Sequence, residues 1–223
     1  MADPIDLRGA VALIAGGTGG IGRHIVSGLV ARGARVHTVS RTAGDTPNHA
    51  VADLRSADDV RRVVTGVQER EGRLDIVVNA VGVVAFGDAT ATSVDTVEEL
   101  FLTNTFAHIF LCSAALPLMQ KGGVIVGISG VVAEQNLPGM AAYGASKAAV
   151  RSFNEGFARE ARRAGVRVID ARPPHTETGL ASRAVAGAPP RFPAGLDPMA
   201  VAARIVEAIH DGTTDLPASA FGS

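Results

Sequence analysis

A chain of 223 residues with 47% hydrophobic side chains is long enough to fold as one domain of the larger kind around a sizeable core. Its formal net charge of -1, with acids and bases spread along the chain, excludes an electrostatic footprint for nucleic acid or an anionic membrane. No 18-residue run reads as both uncharged and apolar, residues 1–8 carry two aspartates and no signal core, and the single cysteine, Cys112, cannot close an internal disulfide; a cytoplasmic protein without a membrane span is expected.

Residues 10–15, AVALIA, are a short apolar run of the kind buried on both faces of a parallel sheet. The glycine-rich residues 16–22 follow. A helix is predicted over about 21–32, with Ile25, Leu29 and Val30 facing inward and Gly33 ending it. Strands are predicted at 34–39 and, briefly, at 49–52. Residues 56–71 read as an amphipathic helix opened by Ser56 and closed by Gly72, ahead of a fourth strand at 74–78. Residues 94–116 are helical with a bend near 103–105, and 123–128 form a fifth strand. A long helix at 141–164 ends at Gly165, and a sixth strand follows at 166–171. Asp197 caps a last helix running to 211, with Pro198 in its first turn, and 216–221 could add a final strand.

Strand and helix alternate throughout, which predicts a single α/β domain over 1–223: a Rossmann-like doubly wound parallel sheet with helices on both faces. Residues 181–196, rich in Ala, Pro and Gly, interrupt the pattern. Ligands in this architecture sit beyond the C-terminal ends of the strands, so the segment reads as a substrate lid.

Gly16-Gly17-Thr18-Gly19-Gly20-Ile21-Gly22 lies between the first strand and the first helix. Glycines let the backbone turn tightly against a pyrophosphate, and the helix N-terminus offers unpaired N–H groups and partial positive charge to it. The pattern alone is weak; in a strand–turn–helix context it predicts a dinucleotide site. A domain selecting NAD usually carries an acid about 20 residues on. Here the second strand runs into Ser40-Arg41, with no acid between Arg35 and Gly44. A forked guanidinium suits a 2′-phosphate, so NADP(H) is expected over NAD(H). The GKS/T ending of a P-loop is absent, which sets that class of nucleotide site aside.

These segments together resemble the short-chain dehydrogenase/reductase family over nearly the whole chain. Residues 15–22 resemble its TGxxxGIG turn, with Ala15 in place of Thr, and Asp53-Leu54 resembles the pair that contacts adenine. Asn79-Ala80-Val81-Gly82 is similar to the NNAG segment, and Asn104 matches the active-site asparagine. Tyr143 and Lys147 match the YxxxK pair, and residues 173–178, with Pro173, Thr176 and Thr178, resemble the PGxxxT loop at the nicotinamide end. The resemblance implies that Lys147 also binds the nicotinamide ribose, that Asn104 holds a proton-relaying water, and that the long helix from 141 pairs across a homodimer or homotetramer.

The chemistry of the pair can be argued directly. Tyr143 is the only tyrosine and Lys147 one of only two lysines, four residues apart on one helix face. A phenol near pKa 10 needs about 4 kcal/mol to reach neutrality, and a nearby ammonium supplies much of that by stabilising phenolate. Such a group can protonate a carbonyl oxygen while hydride arrives at carbon, or run in reverse. The expected partner is therefore a small-molecule ketone or alcohol, and the scarcity of aromatics argues against aromatic stacking as its main grip.

One position departs from the family. Thirteen residues before Tyr143, where a serine is usual, stands Gly130, with Ser129 beside it. Ser129 could act through a shifted loop. His175, Gln135 or a backbone N–H could replace the donor. Or the chain could bind NADP(H) without catalysis, as a sensor or scaffold. Pro174 also stands in place of the family's glycine. Cys112 reads as a packed hydrophobe without a ligand partner, and no metal cluster is visible in the sequence.

Overall fold

The computed structural model describes residues 3–44 and 46–222. Seven parallel strands make one sheet: β1 (Val11–Ala15), β2 (Arg35–Ser40), β3 (His49–Val51), β4 (Ile76–Asn79), β5 (Val124–Ile128), β6 (Arg167–Ala171) and β7 (Asp215–Leu216). Their order is β3-β2-β1-β4-β5-β6-β7, so the winding reverses between β1 and β4. That reversal opens the crevice where ligands bind in doubly wound sheets.

The strands are apolar on both faces because both faces are covered. In β1, Val11, Leu13 and Ala15 enter one core with α2 (Ala57–Glu71) and α4 (Ala107–Ala115). Ala12 and Ile14 enter the other with α1 (Gly20–Ala31) and α6 (Pro198–Asp211). Successive side chains of a strand point to opposite faces, so a sheet between two helix layers needs an unbroken apolar run rather than an alternating one. The predicted elements are all present, with boundaries moved by a residue or two. Ser56 caps α2 through the Asp59 amide, and Gly72 closes it at φ 71°.

Three expectations need correction. Val30 is 54% exposed, so of the three residues expected to face inward only Ile25 and Leu29 are buried. The last strand stops at Leu216, and residues 218–221 form a short 3-10 turn after Pro217, whose ring cannot donate to a ladder. The stretch Val94–Leu118 is long and apolar enough to cross a membrane by length and composition. Half of that window is buried, and it carries the buried polar residues Thr103, Asn104, Thr105 and His108, the last three hydrogen-bonded to Ser146 or Asn154.

The expected bend in this stretch is a π-helical turn, Phe101–Phe106, between α3 (Val94–Leu100) and α4. A π turn inserts one residue into the helical ladder and commonly marks a functional position. Here it turns Asn104 toward the C-terminal end of β4. The long helix α5 (Ala141–Arg163) packs on β6, and its Phe153 and Phe157 rings stack with centroids 5.1 Å apart. Val150 and Phe157 are buried within this chain.

Candidate active site

A cleft of about 430 Å³ opens at the C-terminal ends of β1, β4 and β5. Gly19, Gly20 and Ile21 line one part of it; Ala80, Val81, Tyr143, Lys147, Pro173, Thr176 and Thr178 line the rest.

The glycine turn is built from close backbone approaches. Gly16 sits at φ +75°, and a Cβ there would lie 3.0 Å from the Ala80 carbonyl. A Cβ on Gly17 would lie 2.6 Å from the Thr38 methyl, and one on Gly22 would overlap the Gly16 carbonyl. The turn therefore fits only without side chains, and it presses β1 against the β4 loop at the point where the winding reverses. Helix α1 begins at Gly20 with no side chain capping its first turn, while Thr18 is exposed at the tip. Free amides at a helix start, with no acid nearby, suit a pyrophosphate. The residues present fit a dinucleotide.

Asn79 is buried, and its Oδ1 accepts from the Val81 amide at 3.0 Å, shaping the turn after β4. On the β2 side, Ser40 ends the strand and Arg41 is exposed. Asp53 is held by Arg55, whose guanidinium keeps its carboxyl below the usual range; the shortest of their contacts is 2.7 Å. The Leu54 side chain is 5% exposed and packs in the core with α2, so only its backbone can reach an adenine.

Asn104 commits both hydrogens of Nδ2 and one of the two lone pairs of Oδ1. Its Oδ1 accepts from the Val83 amide at 2.8 Å, and its Nδ2 donates to the Val83 carbonyl at 3.0 Å and to Ser146 Oγ at 2.9 Å. It pins the β4 loop to the start of α5. Lys147 Nζ donates to the Ile128 carbonyl at 2.6 Å and lies 3.7 Å from where a Gly82 Cβ would stand. Burial pushes Lys147 down to about 8, partly offset by the Asp170 carboxylate. Tyr143 is half-buried on the cleft wall, and its apolar surroundings push the hydroxyl up to about 12. In the ligand-free chain burial alone moves the hydroxyl, in the direction opposite to the lowering expected from Lys147.

Ser129 is not in the cleft. It is fully buried and donates to Asp170 Oδ1 at 2.7 Å, on the opposite side of the strand end. Asp170 also accepts from Asn154 Nδ2 at 2.9 Å and Arg172 Nη1 at 2.7 Å. A shifted loop does not rescue it, because Gly130 at φ 79°, ψ 161° turns the chain away. Nor are backbone donors free: the amides of Ser129 and Gly130 go to the Ala171 carbonyl and that of Val131 to the Pro173 carbonyl. Of the replacement donors considered, Gln135 and His175 line the cleft.

Residues 181–196, expected as a lid, are packed rather than loose. Phe192 stacks on His175 with centroids 4.7 Å apart and tilts against Phe86 at 5.9 Å. Phe86, Tyr143 and Phe192 are the aromatic rings among the residues that line the cleft. Leu196 pairs with Thr176, and Ala186 with Ala85, across the opening. Thr178 abuts Gly20, which joins the nicotinamide-end loop to the glycine turn.

The sequence reading missed the polar cluster behind the cleft. His108 Nε2 lies 2.6 Å from Asn154 Oδ1 and 3.5 Å from Cys112 Sγ, so Cys112 does have a histidine four residues before it. Burial drives that imidazole down to about 4 and the thiol up, leaving both neutral. The i, i+4 spacing could have revealed the contact. Among the described residues, no group of three or more His, Cys, Asp or Glu is placed to hold a metal.

Comparison with known proteins agrees with this arrangement. The short chain dehydrogenase family profile matches residues 10–188. The chain belongs to that family. A dehydrogenase/reductase SDR family protein 7-like from Anopheles gambiae is 29% identical over 201 residues, covering 81% of this chain and 63% of that protein. Hydroxynaphthalene reductase arp2 from Aspergillus fumigatus is 32% identical over 178 residues, covering 74% and 65%. The chain thus spans less than two thirds of the length of these relatives. A solved short chain dehydrogenase from Burkholderia cenocepacia, described as a complex with NADP, superposes with a TM-score of 0.84 at 25% identity, over 97% of this chain and 99% of that one.

Proposed function

We propose that the chain is an NADP(H)-dependent oxidoreductase, a carbonyl reductase or alcohol dehydrogenase acting on a ketone or secondary alcohol. The observation that carries this reading is a single cleft whose walls hold the glycine turn at one end and Tyr143 with Lys147 at the other. Bound NADP(H) supplies the hydride acceptor or donor. Tyr143 passes a proton to the carbonyl oxygen, or takes it from the alcohol. Lys147 holds positive charge beside it and reaches the nicotinamide ribose. Asn104 fixes the β4 loop and relays protons through water. Gly16, Thr18, Gly19, Gly20, Ile21 and Gly22 cradle the pyrophosphate; Asn79, Ala80, Val81, Pro173, Thr176 and Thr178 shape the nicotinamide end; Ser40, Arg41 and Asp53 meet the adenosine.

NADP(H) is favoured by the exposed Arg41 after β2 and by the likeness to a protein whose description includes NADP. Apolar walls from Val84, Phe86, Met140 and Phe192 suit a largely apolar carbonyl compound. A non-catalytic sensor or scaffold, suggested by Gly130, is disfavoured by the Tyr143–Lys147 pair on the same wall. A cytoplasmic homodimer or homotetramer, paired through α5, belongs to the same reading.

The test uses the single tyrosine. The chain has no Trp, so near-UV absorbance on forming tyrosinate reports Tyr143 alone. The free chain should titrate at about 12. With NADP⁺ bound, the cationic ring and Lys147 should bring the hydroxyl well below the ordinary phenol value of about 10. A hydroxyl that stays above that value with NADP⁺ bound overturns Tyr143 as the proton donor.

A further inference from the structure

The turn after β2 is held by one imidazole that the dinucleotide reading did not use. His49, the first residue of β3, reaches across to β2 and to the turn beyond it. Its Nδ1 lies 2.8 Å from Thr38 Oγ1, and its Nε2 lies 2.9 Å from the Thr42 carbonyl and 3.2 Å from Ser40 Oγ. A carbonyl oxygen can only accept, so Nε2 carries the hydrogen and the Thr38 hydroxyl donates to Nδ1. Ser40 Oγ donates to the same Thr42 carbonyl at 2.8 Å. Gly44 closes over the ring: a Cβ there would lie 2.6 Å from its Cγ. Thr38 in turn abuts Gly17 of the glycine turn. One side chain therefore ties the pyrophosphate turn to the segment that carries Ser40 and Arg41.

We propose that His49 is a positioning residue for the adenosine 2′-phosphate, holding Ser40 and Thr42 in place on either side of Arg41. This rests on the NADP(H) reading above. The charged groups around His49 are Arg41 on the same turn and Asp53 paired with Arg55 beyond β3. Arg70 of α2 donates to Asn48, the residue before His49. Asp45, in the same loop, lies outside the described residues.

The experiment compares NADP⁺ and NAD⁺ binding by calorimetry for the full chain, His49→Ala and His49→Gln. The Gln amide restores a donor to the Thr42 carbonyl. His49→Ala should weaken NADP⁺ about tenfold and NAD⁺ less than about twofold, as loss of the hydrogen bonds that set Ser40 and Thr42 implies. His49→Gln should recover NADP⁺ binding to within about threefold of the unaltered chain. An equal loss for both nucleotides, no loss, or a Gln variant as weak as the Ala variant overturns the role of His49 alone. An unaltered chain that binds NAD⁺ and rejects NADP⁺ overturns the NADP(H) reading first, and this inference with it. If His49→Ala does not fold, His49→Leu, which fills the space without a donor, takes its place.

Discussion

The two ends of the cleft are built by different means. At the dinucleotide end, bare glycine backbone sits directly against its neighbours: Gly16 on the Ala80 carbonyl, Gly17 on the Thr38 side chain and Gly20 on the Thr178 side chain. At the substrate end, side chains do the work: Phe86, Phe192 and His175 stack across the opening, and Asp170 gathers Ser129, Asn154 and Arg172 behind β5. A site made of backbone contact tolerates almost no added atom. A site made of packed side chains can exchange one group for another, and the departures from the family's pattern at Gly130 and Pro174 both fall there.

The largest effect expected is at the junction of the two ends. Tyr143→Phe should lower kcat/KM by about 10²–10⁴, the usual worth of a positioned proton donor. NADPH affinity, measured by calorimetry, should stay within about twofold. Loss of both together would assign Tyr143 to nucleotide binding and dissolve the division between the two ends.

A test of the dinucleotide end alone is Gly22→Ala. The new methyl would overlap the Gly16 carbonyl, which is backbone and cannot rotate away. Overpacking of this kind costs about 1–3 kcal/mol, or about 5- to 150-fold in affinity for NADP(H). Calorimetry should show that loss with kcat at saturating cofactor changed far less. Unaltered affinity would mean the turn yields, and the backbone-built half is softer than its contacts suggest.

This contrast also governs what could be read from sequence. Glycine spacing is local, so residues 16–22, the helix after them and the crevice were legible from one short segment. The sheet was legible for the same reason: each strand is an unbroken apolar run of its own. The Tyr143–Lys147 pair was legible because both lie on one helix. Ser129 was not. Its side chain is claimed by Asp170, 41 positions away, and nothing near Ser129 announces that. The upward displacement of Tyr143 was not legible either, since a local charge argument leaves out desolvation by Val84, Met140 and the rest of that apolar cluster. Val30 turned outward because the buried stripe of α1 is narrower than its run of apolar residues.

The polar cluster behind β5 should tune the substrate end from a distance. Lys147 must be charged to favour phenolate, and its charge is lost as pH rises through about 8 in the free chain. Asp170 opposes the burial that lowers it, so removing that negative charge should lower it further. Asp170→Asn is therefore expected to move the alkaline limb of kcat/KM for NADPH to lower pH, with activity below neutrality retained. Both effects are read from one pH–rate series, since kcat/KM reports the free enzyme. An unmoved limb would separate the cluster from catalysis and leave it a purely structural device.

The smallest effect is expected where the departure from the family is plainest. Restoring the usual residue with Gly130→Ser should not restore a donor. Space is not the obstacle, since a Cβ there would meet only the Pro173 carbonyl at 3.9 Å. The obstacle is the backbone: φ 79° with ψ 161° is a region that essentially only glycine occupies, and a side chain there costs about 1–3 kcal/mol. To relieve that strain, the loop would have to surrender the amide bonds of Gly130 and Val131 to Ala171 and Pro173. Thermal unfolding should therefore fall by about 2–4 °C per kcal/mol, while kcat rises by less than about twofold. A kcat gain of tenfold or more would show that the segment can take the family's path after all. The donor would then have been lost rather than replaced, and the substrate end would be as dependent on one backbone conformation as the glycine turn is.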